Sequence, residues 1–267
     1  MRYANLPLRD REAVAPAKTA DFSRLAHIYR WLEWCSFGPV LWHCRCTFLA
    51  EMKSGRSALI IGDGDGRFTA RLLVENPQIT VEAVDSSESM LRQLMQTAGR
   101  NVDRVRVQLA DARQLNLAPR NFDLVATHFF LDCLTTVEVE DLAMRLRGIM
   151  PHDAAWVVSE FAVPDNWYGR LIARPLVTAL YIAFGFLTGL SIRQLPAHRE
   201  ALQRAGFTLA KQRTWLGGLL VSELWQPRPA QNFGHLQRYP SQRGALSRSY
   251  CSCVSCSHTP PRPISSP

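Results

Sequence analysis

The sequence lacks several features that would assign it to common classes of protein. Residues 1–19 alternate charged residues with Pro and Ala and contain no apolar stretch of the kind found in a secretory signal. The seven cysteines are an odd number, which without such a signal favours a reducing cytosol over a disulfide framework. Despite a formal net charge of +8, no dense Lys/Arg run is interleaved with aromatic residues, so nucleic-acid binding is disfavoured. We expect a cytoplasmic protein, with peripheral contact between a basic face and anionic lipid as an open alternative.

Catalytic triads and folded metal sites are also missing. The tail carries a C-x-C-x-x-C-x-H cluster from Cys251 to His258, whereas structural zinc sites usually use paired C-x(2–4)-C motifs inside a folded unit. We therefore predict no bound metal. The cysteines outside the tail lie in apolar segments and are interpreted as small buried hydrophobic residues, namely Cys35, Cys44, Cys46 and Cys133.

Composition divides the 267 residues into parts of different character. A loose arm is predicted at 1–19, one α/β domain at 20–226 and a disordered tail, rich in Pro, Ser, Arg and Gln, at 227–267. Within the domain, residues 20–54 are expected to form a helical lid around a break at Gly38-Pro39, and residues 55–226 to form the core.

The core alternates short apolar strands with helical segments, which predicts a parallel sheet in a doubly wound fold. We expect a Rossmann-like, mostly parallel sheet of seven strands. The strands are placed near residues 58–62, 79–84, 104–109, 122–127, 154–160, 207–213 and 218–225.

The loop after the first strand is the most informative part of the sequence. An apolar run meets Gly62, Gly64 and Gly66 and continues into a helical segment at 68–74. Glycine allows a sharp turn and lets bare backbone approach a ligand, to which the following helix presents its N-terminal N–H groups. Asp85 lies nineteen residues after Gly66 at the end of the next apolar run, where a carboxylate can accept hydrogen bonds from ribose hydroxyls. These features indicate a nucleoside-binding βαβ unit.

The spacing of the glycines distinguishes between nucleoside cofactors. The dinucleotide fingerprint G-x-G-x-x-G would need glycine where Arg67 stands, so an NAD-dependent oxidoreductase is disfavoured. The observed G-x-G-x-G resembles motif I of class I S-adenosylmethionine-dependent methyltransferases. Further segments resemble later motifs of that family in the right order: 84–91, 109–112, 121–128 and 205–209. The resemblance spans residues 20–226 and implies the class I fold, methyl transfer and S-adenosylmethionine as cofactor.

The resemblance also implies which residues contact the cofactor. The acid of the third motif, Asp111, would face the adenine amino group, and Tyr29 of the lid would touch the methionine end. The complete implied set is Gly62, Asp63, Gly64, Gly66, Asp85, Ser86, Met90, Asp111, Ala112, His128 and Tyr29.

One position departs from the family pattern. The family usually has an acidic residue two places before the first glycine, and this chain has Ile60 there. Three explanations stay open: Asp63 or Asp65 replaces that acid from within the loop, the cofactor is held more weakly, or the site has decayed into a nonenzymatic binding module.

His128 is the candidate general base. It follows the fourth predicted strand, at the carboxyl edge where open α/β sheets bind ligands. An imidazole titrates near neutrality and could remove a proton from a phenol or enol. The alternative is that His128 packs on the cofactor or bonds to backbone, and Asp132 would either orient the ring or cap the following helix.

Two apolar segments suggest the kind of acceptor. The Trp-rich lid loosely resembles that of ubiquinone and menaquinone methyltransferases, in Tyr29–Trp34, Ser36–Gly38 and Trp42. The apolar segment Leu171–Leu190 is interrupted at Arg174-Pro175, so we expect a buried or interfacial helix rather than a membrane span. Together they favour a small hydrophobic acceptor, quinone- or lipid-like, although core packing would explain both segments equally well.

Overall fold

A seven-stranded sheet organises the protein. The computed structural model describes residues 39–115, 121–180 and 195–229. The strands are β1 Ser57–Ile61, β2 Thr80–Asp85, β3 Val105–Leu109, β4 Leu124–His128, β5 Ala155–Phe161, β6 Phe207–Trp215 and β7 Leu220–Pro227. Their order in the sheet is β3-β2-β1-β4-β5-β7-β6. The predicted doubly wound, mostly parallel sheet is confirmed.

Helices connect the strands. They are α1 Pro39–Arg45, α2 Arg67–Glu75, α3 Glu88–Ala98, α4 Thr136–Arg147 and α5 His198–Arg204, with 3-10 turns at Gly99–Arg104, Ala112–Gln114, Leu131–Cys133 and Leu216–Gly218. Local sequence fixes where two of them begin. Ser87 caps α3 by accepting the N–H of Met90, and Thr135 and Glu138 form a capping box at the start of α4.

The sheet separates two hydrophobic cores. Because successive strand residues point to opposite faces, Leu59 and Ile61 pack with α4 and α5 on one face, whereas Ala58 and Ile60 pack with α2 and α3 on the other. The central strands are buried on both faces, which explains their continuous apolar sequences.

The last two strands complete the sheet in antiparallel fashion. β7 runs antiparallel to both β5 and β6. β7 therefore lies one position inside the sheet, and β6 forms the edge.

The lid prediction is partly wrong. A helix begins at Pro39, as the predicted break implied, but it ends at Arg45, and turns follow from 46 to 54 instead of helix. The side chains of Phe48, Leu49 and Met52 are buried against the sheet, so core packing outweighs the helical spacing. Residues 20–38, including Tyr29, lie outside the described residues.

The apolar segment after β5 also differs from expectation. Residues 167–180 form a continuous helix with a π-helical stretch at Gly169–Ala173, and Pro175 does not break it. The wider π turn directly before Pro175 accommodates the missing N–H and the proline ring. Among the described residues, no helix is both long and apolar enough to cross a membrane. The remainder of the segment, 181–190, lies outside the described residues.

The cysteines of the domain are mostly packed. Cys44 is fully buried, as predicted, whereas Cys46 and Cys133 are partly buried. Burial raises the pKa of Cys44 to about 12 and that of Cys46 to about 11, so both thiols stay protonated at neutral pH. No cluster of His, Cys, Asp and Glu within the described ranges could hold a metal ion. Cys35 and the tail residues 230–267 fall outside those ranges.

Candidate cofactor site

The candidate site lies at the carboxyl edge of four neighbouring strands. The chain leaves β1 toward β2 and β3 on one side and later returns to β4 on the other, so the strand order reverses between β1 and β4. Crevices at such reversal points are where open α/β sheets bind ligands. The loops after β3, β2, β1 and β4 therefore lie side by side, and most of the predicted site residues fall on them.

Each glycine of the loop has a left-handed backbone and a different neighbour. Gly62, Gly64 and Gly66 have φ values of 71°, 64° and 78°. A Cβ at Gly62 would collide with the ring of Phe130, and one at Gly66 would lie 2.6 Å from the Cα of Leu94. At Gly64, by contrast, nothing lies within 4 Å of the Cβ position. Gly62 and Gly66 are thus needed for packing, while Gly64 leaves open space above bare backbone.

Asp85 is tied to the glycine loop. Its Oδ1 accepts the N–H of Ser87 at 2.8 Å, and its carboxylate also interacts with the N–H groups of Gly64 and Ser86. Burial raises the pKa of Asp85, and these N–H groups partly oppose that rise. A half-buried carboxylate therefore stands beside the open backbone of Gly64, in the place predicted for ribose binding.

The remaining predicted contacts surround this pair. Ser86 is exposed before α3 and Met90 is half-buried in its first turn, while Ala112 is buried at the start of the 3-10 turn that follows β3. Both oxygens of Asp111 accept hydrogen bonds from Arg113, over distances of 2.6–3.0 Å, and this cation lowers the pKa of Asp111. The Asp111 side chain stays 35% exposed beside Arg113, and the assignment of Asp111 to adenine stays a prediction.

Of the two acids proposed to replace the one missing at Ile60, Asp63 has the more suitable position. Ile60 itself is buried in the core, with 1% of its surface exposed. Asp63 is also buried and accepts the N–H of Thr69 at 2.9 Å through Oδ2, while its Oδ1 has no hydrogen-bond partner among the described residues. Burial raises its pKa to about 6. Asp65 instead pairs with Arg67.

His128 is the last residue of β4 rather than the first residue after it, and its ring is buried. Only 3% of its surface is exposed, and the ring makes an edge contact with Phe68 at a centroid distance of 4.2 Å. Its Nδ1 lies 3.0 Å from Oγ of Ser159, whose hydroxyl donates to the carbonyl of Cys44. When the Ser159 hydroxyl donates to Cys44, Nδ1 donates to Ser159 and Nε2 keeps its lone pair.

The environment keeps His128 neutral. Burial, with a smaller contribution from the positive charge of Arg45, lowers its pKa well below the ordinary value. Nε2 is buried without a hydrogen-bond partner in the described part of the chain. His128 thus has the neutral form that a base needs but little access to solvent, and its role as general base stays a prediction.

The sequence did not single out the turn after β4 or the glutamate that supports it. Phe129 has a positive φ of 54°, which is unusual for a residue other than glycine, and Phe130 covers Gly62. Glu160, near the end of β5, accepts the N–H groups of Phe130 and Leu131. The available signal was a glutamate at the end of the apolar run 155–159.

Comparisons with known proteins agree with this geometry. Residues 58–150 match the family model described as a methyltransferase domain. Those residues include the glycine loop and the loops after β2, β3 and β4. No curated protein matches the chain.

Solved methyltransferases share the fold. An O-methyltransferase family protein from Burkholderia thailandensis has a TM-score of 0.60 at 15% identity, covering 79% of this chain and 62% of that one. A TehB-like SAM-dependent methyltransferase from Corynebacterium glutamicum has a TM-score of 0.52 at 15% identity, with coverages of 77% and 97%. CalO1, a methyltransferase in calicheamicin biosynthesis solved with SAH bound, has a TM-score of 0.56 at 17% identity, covering 78% of this chain and 58% of that one. The chain thus spans less than two thirds of the Burkholderia and CalO1 structures, and at these identities the likeness shows the fold.

The residues of the candidate site fit S-adenosylmethionine, the cofactor that the resemblance implies. The open backbone at Gly64 leaves room for a ligand, and the Asp85 carboxylate beside it can accept hydrogen bonds from hydroxyl groups. The buried Oδ1 of Asp63 would accept from an ammonium group in competition with the Thr69 side chain, which also interacts with this carboxylate. S-adenosylmethionine carries both kinds of donor, in its ribose and in its methionine end.

Replacement of Gly64 tests whether its open backbone faces the cofactor. Gly64→Ala should cost about 1–2 kcal/mol of folding stability, because alanine disfavours the left-handed backbone. It should also weaken S-adenosylhomocysteine binding at least tenfold, measured by calorimetry. Gly99→Ala is a control for affinity, since Gly99 has equally open space at the far end of α3, although its φ of 55° and ψ of −123° lie outside the left-handed helical region and make its stability cost larger. Equal affinities for the two variants would contradict the assignment.

Proposed function

We propose that the protein transfers a methyl group from S-adenosylmethionine to a small, hydrophobic acceptor. The arrangement that supports this proposal is the open backbone of Gly64 beside the Asp85 carboxylate, at the strand reversal between β1 and β4. The match of residues 58–150 to a methyltransferase domain supports the same reaction class.

The reaction makes limited demands on the protein. S-adenosylmethionine supplies a methyl group on a sulfonium, and its displacement leaves a neutral thioether. The chain must hold donor and acceptor in line, exclude water and, for a weak nucleophile, remove a proton. In our proposal the glycine loop and Asp85 hold the cofactor, Asp63 receives its ammonium group, and the turn after β4 borders the place where the acceptor binds.

Asp85 provides the test of cofactor binding. Asp85→Ala removes charge-assisted hydrogen bonds, so about 1.5–3 kcal/mol of S-adenosylhomocysteine affinity should be lost in a calorimetric titration. Asp103→Ala is a control, because Asp103 is an exposed acid on the Gly99–Arg104 turn. NAD should not bind the wild-type chain. Unchanged S-adenosylhomocysteine affinity in Asp85→Ala would remove Asp85 from the site.

His128 provides the test of proton removal. If its Nε2 accepts the acceptor's proton, His128→Gln should lower turnover by about 10²–10⁴-fold and leave S-adenosylhomocysteine affinity nearly unchanged. Because burial lowers the pKa of His128, the wild-type rate should fall only on the acid side of histidine's ordinary range. Parallel loss of turnover and cofactor affinity would instead identify His128 as a residue that packs against the cofactor.

An exposed apolar surface supports a hydrophobic acceptor and contact with lipid. We use "apolar surface" for Trp167, Leu171, Ile172 and Leu176 on the 167–180 helix, which are 66%, 72%, 45% and 38% exposed. Arg170 and Arg174 lie on the same helix and are also exposed. Exposed aromatic and aliphatic side chains flanked by cations are typical of helices that lie in the headgroup region of a membrane. Tyr168 anchors this helix through a hydrogen bond to the carbonyl of Leu216.

Lipid contact can be measured by co-sedimentation with vesicles of phosphatidylcholine and phosphatidylglycerol. The double substitution Leu171→Ser and Ile172→Ser should reduce the bound fraction, since it removes apolar area that would enter the membrane. Val137→Ser is the matched control, because Val137 is 76% exposed on a different helix, α4. Equal binding by all three proteins would contradict lipid contact through the apolar surface.

A catalytically inactive binding module is the alternative, favoured by the buried Ile60 in place of an acid. Two successive measurements, cofactor binding and then methyl transfer, distinguish the enzyme from the binding module. Binding of S-adenosylhomocysteine followed by transfer of labelled methyl to a short-chain hydroquinone supports the enzyme with a quinone-like acceptor. Cofactor binding without methyl transfer to hydroquinone, phenol or lipid probes favours the module.

A further inference from the structure

Two glutamates are completely buried in neighbouring strands, and they are held differently. Glu223 on β7 receives hydrogen bonds from His198, Arg199 and Trp225, so charged and polar side chains compensate its burial. Glu160 on β5 is 1% exposed and accepts backbone N–H groups instead. Its Oε2 has no hydrogen-bond partner in the described residues.

The contacts of Glu160 converge from one turn. Oε1 accepts the N–H of Phe130 at 3.1 Å and that of Leu131 at 2.8 Å, and the N–H of Asp132 also interacts with the carboxyl group. Successive N–H groups that converge in this way form an anion-binding concavity. Here the chain fills that concavity with its own carboxyl group.

The turn needs such support because its backbone is strained. Phe129 has φ 54°, and side chains disfavour this conformation. Its ring is placed by Phe161, at a centroid distance of 5.2 Å, and by the guanidinium of Arg45, at 5.4 Å. Phe130 follows directly, and its ring occupies the space that a side chain at Gly62 would need.

We propose that Glu160 is a positioning residue for cofactor binding, which holds the Phe129–Leu131 turn so that Phe130 stays against the glycine loop. The proposal rests on the function proposed above, because it assigns a purpose to this contact only if the glycine loop binds S-adenosylmethionine. In this role Glu160 connects the end of β5 to the loop after β1 through the Phe129–Leu131 turn.

The burial of Glu160 and the charge of its neighbour Asp132 also fit a functional role for its carboxyl group. Burial, together with the negative charge of Asp132, raises the pKa of Glu160 well above its ordinary value, while the backbone N–H groups of the turn oppose the rise. A buried carboxyl group of this kind is costly to the fold, and such groups occur preferentially at functional sites.

Calorimetric titration with S-adenosylhomocysteine tests the proposal. Glu160→Gln keeps an oxygen that can accept the same N–H groups and should retain wild-type affinity. Glu160→Leu removes it and should weaken binding about tenfold, within the range found for residues of one hydrogen-bond network. Glu160→Asp, which withdraws the carboxyl group by one methylene, should weaken binding in the same direction and replaces Glu160→Leu if that variant does not fold.

Two controls separate positioning from general destabilisation. Glu223→Gln alters an equally buried glutamate on the paired strand and should lower Tm without changing S-adenosylhomocysteine affinity. In a Phe130→Ala background, Glu160→Asp should cause no further loss of affinity, because its effect passes through Phe130. Full additivity of the two substitutions, or an affinity loss in Glu223→Gln equal to that in Glu160→Asp, would overturn the proposal.

Amide exchange distinguishes failure of the positioning role from failure of the proposed function. The amides of Phe130 and Leu131 should exchange slowly in the wild type and faster in Glu160→Asp. If the wild type shows this protection but binds no S-adenosylhomocysteine, the proposed function fails and the positioning role fails with it. If the wild type binds and Glu160→Asp binds equally well, only the positioning role is overturned.

Discussion

The parallel pairing of β1 with both β2 and β4 is the constraint on which the candidate site depends. It places Ile61 beside Val84 on one side and beside Thr127 on the other. Consequently the glycine loop leaves the sheet between Asp85 and the turn after β4. Parallel strands need long crossover connections, and these helices cover both faces and leave the carboxyl edge to the loops. The candidate site is therefore formed by residues that lie far apart in the sequence.

The loops at this edge contact one another directly. The N–H of Gly64 interacts with Asp85, Leu94 packs on Gly66, and Phe130 packs on Gly62. A side chain at Gly62 or Gly66 would displace a neighbouring residue, and a side chain at Gly64 would cover open backbone. Preorganisation of this kind lowers the entropic cost of binding, because less of the loop has to be ordered when a ligand arrives.

Buried polar groups mark the same region. Asp63, His128 and Glu160 are each buried with one side-chain atom that has no hydrogen-bond partner among the described residues. Such groups are costly, and most buried polar atoms in proteins are paired. These three lie beside the glycine loop and the turn after β4, and a further unpartnered buried nitrogen lies at Trp215, at the end of β6. Buried titratable groups of the first kind are frequent near binding sites.

Local sequence patterns were enough to predict the sheet and the position of the candidate site. Apolar runs located all seven strands, and the glycines with Asp85 located the edge of the sheet. These patterns could not show that the helix would continue through Pro175 with a π-helical stretch before it. They also could not show that residues 46–54 would form turns, because their packing against the sheet decides their conformation. Nor could they show that His128 is buried or that Glu160 supports the turn after β4, since both depend on contacts across more than 25 residues of chain.

Amide chemical shifts during titration with S-adenosylhomocysteine test the central claim most directly. We expect the largest shifts at Gly62, Gly64, Gly66 and the residues flanking Asp85, with smaller shifts at Phe130 and Leu131. The amide resonances of β6, which forms the sheet edge beyond β5 and β7, should not shift. The absence of shifts at saturating ligand, or shifts confined to β6 and β7, would contradict the placement of the cofactor at the reversal between β1 and β4.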